Sequence, residues 1–237
     1  MPISTDPGDW LMRLMKVGLL AVTVGSGLTG CTEQPEREKA PTAEPISLQL
    51  IEPEGLHGWK ALDDWVGGGA EVRVEDGVLQ IGAGAPMNGI MLDEETAEGL
   101  PNGPYEINVE ARRVDGRDIF FGLTFPVPER DACVTLVAGG WGGGITGVSS
   151  IDYRDASQNS TMSDQQYENG RWYAFRIEVR RDDIRVWLDG RIIVNAFIRD
   201  RHIGMRPGEV EQVQPFGLIT WETVGEVRGL RVTELRE

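Results

Sequence analysis

Residues 172–194 read Trp172-Tyr173-Ala174-Phe175-Arg176-Ile177-Glu178-Val179, Arg180-Arg181-Asp182-Asp183, Ile184-Arg185-Val186-Trp187-Leu188, Asp189-Gly190, Arg191-Ile192-Ile193-Val194. In the first run Tyr173, Phe175, Ile177 and Val179 occupy alternate positions, the period of a strand with one dry face. Asp182-Asp183 predicts a turn into the second run. Asp189-Gly190 predicts a tight hairpin into the third, because glycine accepts positive φ at no steric cost. Three consecutive antiparallel strands follow from this one stretch.

The pattern extends outward from there. Tyr105, Ile107, Val109 and Ala111 share one face of a strand, and Glu106, Asn108, Glu110 and Arg112 share the other. Runs at Asp118–Phe125 and Cys133–Val137 are more apolar, and Phe216–Thr220 and Val227–Leu235 supply closing strands. From Ile46 to Glu237 there is neither a convincing amphipathic helical period nor a 20–50-residue repeat. Many short strands between glycine-rich turns predict an all-β, two-sheet antiparallel sandwich. One strand has a strongly polar second face while others are apolar on both faces. That contrast predicts a sandwich in which one curved sheet presents its polar face to solvent.

The chain has 237 residues, 31 glycines, seven tryptophans and a formal net charge of −15. That charge repels phosphate backbones, so nucleic-acid binding is not expected; it does not bear on neutral sugars. Arg13 and Lys16 precede the apolar run Val17–Val24, and small residues lead to Leu28-Thr29-Gly30-Cys31. A basic start, a short apolar core and small residues make a secretory signal over residues 1–30. Leu28-Thr29-Gly30-Cys31 resembles the lipobox of bacterial lipoproteins. The resemblance implies lipidation of Cys31 and an exported, membrane-anchored protein, periplasmic or at the cell surface, with Thr32 pointing to the outer membrane. Residues 31–45 are charged, proline-containing and poor in apolar residues, a flexible tether. Residues 46–237 form the sandwich domain. Cys31 and Cys133 have separate fates, so no disulfide between them is expected.

Gly170-Arg171-Trp172-Tyr173 through Val179, Ile184–Trp187 and Asp189-Gly190 resemble the late strands of concanavalin A-like sandwiches, a jelly-roll fold. Gly55-Leu56-His57-Gly58-Trp59-Lys60 and Val72-Arg73-Val74-Glu75-Asp76-Gly77-Val78-Leu79 resemble the start of the 3-keto-disaccharide hydrolase-like family. That resemblance implies cleavage of glycosides oxidised at the sugar 3-position. Many members carry an Asn-Ser-Gly-Ile segment followed by Arg in a middle strand. Here the comparable residues are Phe121-Gly122-Leu123-Thr124-Phe125-Pro126, so catalytic residues are not carried over to that strand.

Other candidate residues come from their own chemistry. Five glycines surround Trp141 between Gly139 and Gly144. Glycines let backbone approach a ligand, and an indole stacks on a sugar face; a bend plugged by Trp141 is the alternative. The loop Asp152-Tyr153-Arg154-Asp155-Ala156-Ser157-Gln158-Asn159 is rich in oxygens and donors, which places Asp152, Arg154, Asp155 and Asn159 among the candidates. Ca²⁺ is a possible ligand there, although no EF-hand spacing is present; otherwise no metal or cofactor is expected. Glycosidases use two carboxylates, and Glu110, Glu178 and Asp152 are the candidates, with Arg112 beside them. Glu106 and Glu110 stand about 13 Å apart on one strand, too far to act as a pair. Pairing of these acids with Arg112 and Arg176 across the sheet is the competing reading. His57 and His202 stand alone, and no laminarinase-type Glu-x-Asp-x-x-Glu pattern is present. A carbohydrate-cleaving enzyme and a non-catalytic carbohydrate-binding module both remain open.

Overall fold

A computed structural model describes residues 44–62 and 70–236. The signal peptide, Cys31 and all of the tether before Glu44 lie outside them. Among the described residues the strands are β1 (Ser47–Gln49), β2 (Trp59–Ala61), β3 (Val72–Glu75), β4 (Val78–Ile81), β5 (Met87–Leu92), β6 (Tyr105–Asp115), β7 (Phe121–Pro126) and β8 (Cys133–Gly139). They continue as β9 (Ile145–Ser149), β10 (Ser163–Asp164), β11 (Tyr173–Val179), β12 (Asp183–Leu188), β13 (Arg191–Phe197), β14 (Gly217–Trp221) and β15 (Val224–Glu234). They form two antiparallel sheets. One runs β13-β12-β11-β6-β15-β4-β3, with β1 also on β15. The other runs β10-β9-β8-β7-β14-β5-β2. The fold is the predicted jelly-roll sandwich.

The alternation read from the sequence holds in the first sheet. Tyr173, Phe175, Ile177 and Val179 are buried, opposite Ala111, Val109, Ile107 and Tyr105 of β6. The β12–β13 hairpin turns at Asp189 and Gly190, with φ of 48° and 78°, the pair of positive values that such a turn requires. The Asp189 carboxylate accepts from the Ala174 amide at 2.9 Å and ties the turn to β11. Aromatic rings join the two sheets. Phe121 of β7 lies 5.0 Å from Phe175 of β11, and Tyr167 stands edge-on to Phe120 and Tyr173.

One short helix, α1 (Glu94–Glu98), carries no helical period that a sequence reading would catch. It depends on its cap, in which the Asp93 carboxylate accepts from the Thr96 amide. That bond holds the Asp93 pKa below its usual value.

In the second sheet β7 and β8 are buried on both faces. Phe121, Leu123, Phe125, Val134, Leu136 and Ala138 enter the core between the sheets. The other face is covered by the chain around Met205–Val213. There Val213 clusters with Met87, Ile219 and Leu62, and Met91, Val210 and Trp221 pack against that cluster.

The polar sheet face and the recess fall on different sheets. The polar outer face belongs to the eight-stranded sheet, while the sheet carrying the recessed surface is the one whose strands read as apolar throughout. A covered sheet face needs apolar residues on both sides of each strand, so a pocket roofed by loops conceals its strands from a polarity pattern.

Candidate functional site

The outer face of the seven-stranded sheet holds a recess of about 270 Å³. Its floor is Thr135, Val137, Ser149 and Ile219. The pairing register produces this row. Thr135 lies opposite Ser149 and Thr124, while Val137 lies opposite Gly122, itself opposite Ile219. Two glycines let Ile219 lie flat. A Cβ at Gly122 would stand 2.4 Å from Ile219 Cγ1, and one at Gly89 would stand 2.3 Å from the Leu218 carbonyl oxygen. Neither distance is compatible with a side chain.

One wall is the glycine loop Gly140–Gly143. Gly139, Trp141, Gly142 and Gly143 have φ of 78°, 53°, 89° and 122°. For Trp141 this left-handed backbone is unfavourable, and the surroundings fix it in place. The Asp118 carboxylate accepts from the Ile119 amide at 2.8 Å and the Gly142 amide at 3.0 Å. The Trp141 ring is 40% exposed, with the Arg206 guanidinium 5.9 Å from its centre. A bulky residue held at positive φ by its neighbours, with its ring at a cavity, is the kind of feature that marks functional sites. The facing wall is Arg206, Pro207, Glu209 and Val210, and Trp221 closes one end.

The polar atoms of the floor are not equivalent. The Thr135 hydroxyl is bonded to the Thr124 hydroxyl at 2.8 Å and lies 3.8 Å from Met205 Sδ. Ser149 is only 3% exposed, and its Oγ has no hydrogen-bond partner in the described protein.

Of the residues singled out from sequence, Trp141 lines the recess. Glu110 and Glu178 lie on the outer face of the other sheet, bound to arginines, though not in the cross-sheet pairs named from sequence: Glu110 meets Arg228 rather than Arg112, and Glu178 meets Arg176 of its own strand. Glu110 accepts from Arg228 at 2.9 and 3.2 Å. Glu178 accepts from Arg176 at 2.6 Å, with Arg180 and Arg185 further off. Arg112 pairs with Glu226 and lies over the Trp172 ring, which Arg228 also approaches, at 4.6 and 4.2 Å respectively. Asp152 accepts from Arg201 at 2.7 Å and the His202 amide at 3.0 Å, and the His202 ring stacks on Tyr153. Glu110, Glu178 and Asp152 do not converge on the recess.

The loop after β9 is built by its own polar groups. Asp155 accepts from Ser157 through both amide and hydroxyl. Asn159 donates to the carbonyls of Val148, Arg154 and Asp155, so Arg154 enters through its backbone. Asp152 and Asp155 are thus both engaged by protein donors. No cluster of three His, Cys, Asp or Glu side chains able to hold a metal occurs among the described residues. Cys133 is a free, buried thiol. Burial, with the Asp131 charge adding to it, pushes its pKa up to about 11, which keeps it protonated and unreactive near neutrality.

The sequence reading missed Asp118, Thr135, Ser149, Arg206, Glu209 and Trp221. Arg206-Pro207-Gly208 and the acids after it carry no strand alternation, and that break was the available signal for a segment crossing a sheet face.

The site is thus a recess on one face of a jelly-roll sandwich, lined by Trp141 and Trp221 and by the Thr135 and Ser149 side chains. The model of the 3-keto-alpha-glucoside-1,2-lyase-like domain matches residues 49–233, and the chain belongs to that family. No curated protein matches it. Among solved structures it resembles the Crh5 transglycosylase in complex with NAG, with a TM-score of 0.52 and 10% identity over 82% of this chain and 85% of that one. It also resembles SCLam, a non-specific endo-beta-1,3(4)-glucanase from family GH16, with a TM-score of 0.50 and 11% identity over 83% and 94%. A carbohydrate binding module, CBM66 from Bacillus subtilis, gives a TM-score of 0.48 and 12% identity over 73% and 94%. At these identities the likeness is one of fold.

Proposed function

We propose that the protein cleaves glycosides oxidised at the sugar 3-position, and that the recess edged by Trp141 and Trp221 holds the oxidised ring. Family membership supports the substrate class. The observation that carries the location is the Trp141 ring, half-exposed at the recess and held there by a glycine loop pinned on Asp118.

A carbonyl at C3 makes the C2 hydrogen acidic. A base takes that proton, the electron pair left on C2 forms the C1=C2 double bond, and the C1–O bond breaks with its electrons on the departing glycosidic oxygen, which then acquires a proton. Addition of water across the new double bond makes the net reaction hydrolysis. Such an elimination needs one base and a partner for the transient negative charge on the C3 oxygen, not two opposed carboxylates. Glu209, on the recess wall and exposed, suits the base, because the Asp118 carboxylate is already engaged by two amides. Arg206 suits the charge partner. Incubation of the purified protein with a 3-keto-disaccharide and with its unoxidised parent tests this. Release of monosaccharide from the first alone is expected, with loss of turnover in Glu209→Gln. No release from either would overturn it.

A non-catalytic sugar-binding role is the second reading, favoured by the engagement of Asp118 and the pairing of Glu110 and Glu178. Saturable binding of the 3-keto-disaccharide without turnover would select it. We further propose that the protein works outside the cytoplasm on a lipid anchor at Cys31. Cys31→Ser is expected to move it from the membrane fraction to the soluble one; retention in the membrane fraction would contradict this.

A further inference from the structure

We infer that Ser149 is the residue that reads one oxygen substituent on the buried edge of the sugar ring. This deepens the proposed function and rests on it.

The argument is an account of hydroxyls. Three lie on neighbouring strands of one sheet face, those of Thr124, Thr135 and Ser149, in the register that places Thr135 between the other two. Thr124 and Thr135 are bonded to each other at 2.8 Å, and Thr135 has Met205 Sδ as a further acceptor. The Ser149 hydroxyl is bonded to no protein group, although the residue is 3% exposed and lines the recess. A buried hydroxyl without a partner destabilises the fold, whereas an alanine of nearly the same shape would not. A serine here weakens the free protein and supplies one spare donor and acceptor at the bottom of a cavity.

The rest of the floor explains why that one atom sets specificity. Val137 and Ile219 are apolar, and Gly122 and Gly89 admit no side chain beneath Ile219. A ring entering between the walls meets a floor whose unbonded polar atom is Ser149 Oγ. An analogue lacking the facing oxygen leaves that hydroxyl orphaned again, which is how a polar site rejects a deoxy ligand more strongly than an apolar pocket rejects a lost methyl group.

The test is Ser149→Ala, with Thr135→Val as the contrast, each titrated calorimetrically in a Glu209→Gln background, where binding is read without turnover, with the 3-keto-disaccharide and its positional deoxy analogues, and each melted without ligand. For Ser149→Ala we expect about ten-fold weaker binding, as for loss of one hydrogen bond, with a melting temperature equal to or above wild type. One deoxy analogue should bind wild type about ten-fold more weakly yet lose nothing further in the variant, the signature of a direct pair. Thr135→Val should melt lower, because it orphans the Thr124 hydroxyl. Unchanged affinity of Ser149→Ala while wild type binds, or a lowered melting temperature, would overturn the inference and leave the proposed function standing. Failure of wild type to bind the sugar at all would remove both.

Discussion

The two outer faces of the sandwich invert what their sequences suggest. The eight-stranded sheet displays Glu106, Glu110 and Glu178, of which Glu110 and Glu178 read as candidate catalytic acids, and arginines from the same sheet engage them. The seven-stranded sheet displays threonine, serine, valine and isoleucine, which read as core, and it holds the recess. A charged face satisfied by its own strands is finished chemistry. A neutral face with an orphaned hydroxyl, under a tryptophan held at positive φ, has bonding capacity left over. Functional potential follows unmet valence more closely than charge density.

The comparison can be broken at several levels. The largest effect should come from what the faces share, the core between them. Phe175→Ala removes a fully buried ring packed on Phe121 and should cost about 3–5 kcal/mol of stability by denaturant titration. Next, Trp141→Ala should weaken 3-keto-disaccharide binding by about ten-fold or more, in line with about 1–3 kcal/mol for one stacking aromatic. It should change stability little, since the ring is exposed and alanine keeps the same Cβ on the left-handed backbone.

Glu110→Gln, on the opposite face, should alter stability by about 0–1 kcal/mol, because the Arg228 pair is about two-fifths exposed on each side, and should leave turnover intact. The smallest effect is on pH dependence. The Cys133 thiol has its folded pKa raised from 9.0 to about 11, so between those values the unfolded chain holds fewer protons than the folded one. Stability should therefore fall as pH rises from 9 to 11, and Cys133→Ala should flatten part of that decline in melts across the range.

The sequence carried the fold well where one sheet face was wet. The alternation of β6 and β11 and the Asp189-Gly190 turn are local signals, and they name strands, register and hairpin directly. It carried the site poorly for two physical reasons. First, β7 and β8 are dry on both faces, so nothing in their pattern separates Thr135, which faces the recess, from Leu136, which faces the core. Second, the roof that makes a sheet face into a recess is Met205–Val213, some seventy residues beyond the floor and without periodicity. Trp141 was legible because five glycines around one indole is a local anomaly. Ser149 was not, because its distinguishing property is the absence of a partner, and partners are set by tertiary packing.

The most direct test of the account is one calorimetric comparison, made in a Glu209→Gln background that binds without turnover: the affinity for a 3-keto-disaccharide with the rest of the chain wild type, with Trp141→Ala, and with the double change Glu110→Gln/Glu178→Gln. The account predicts about ten-fold or greater loss in Trp141→Ala and wild-type affinity in the double variant. Loss in the double variant with Trp141→Ala binding normally would place the ligand on the opposite face and contradict it.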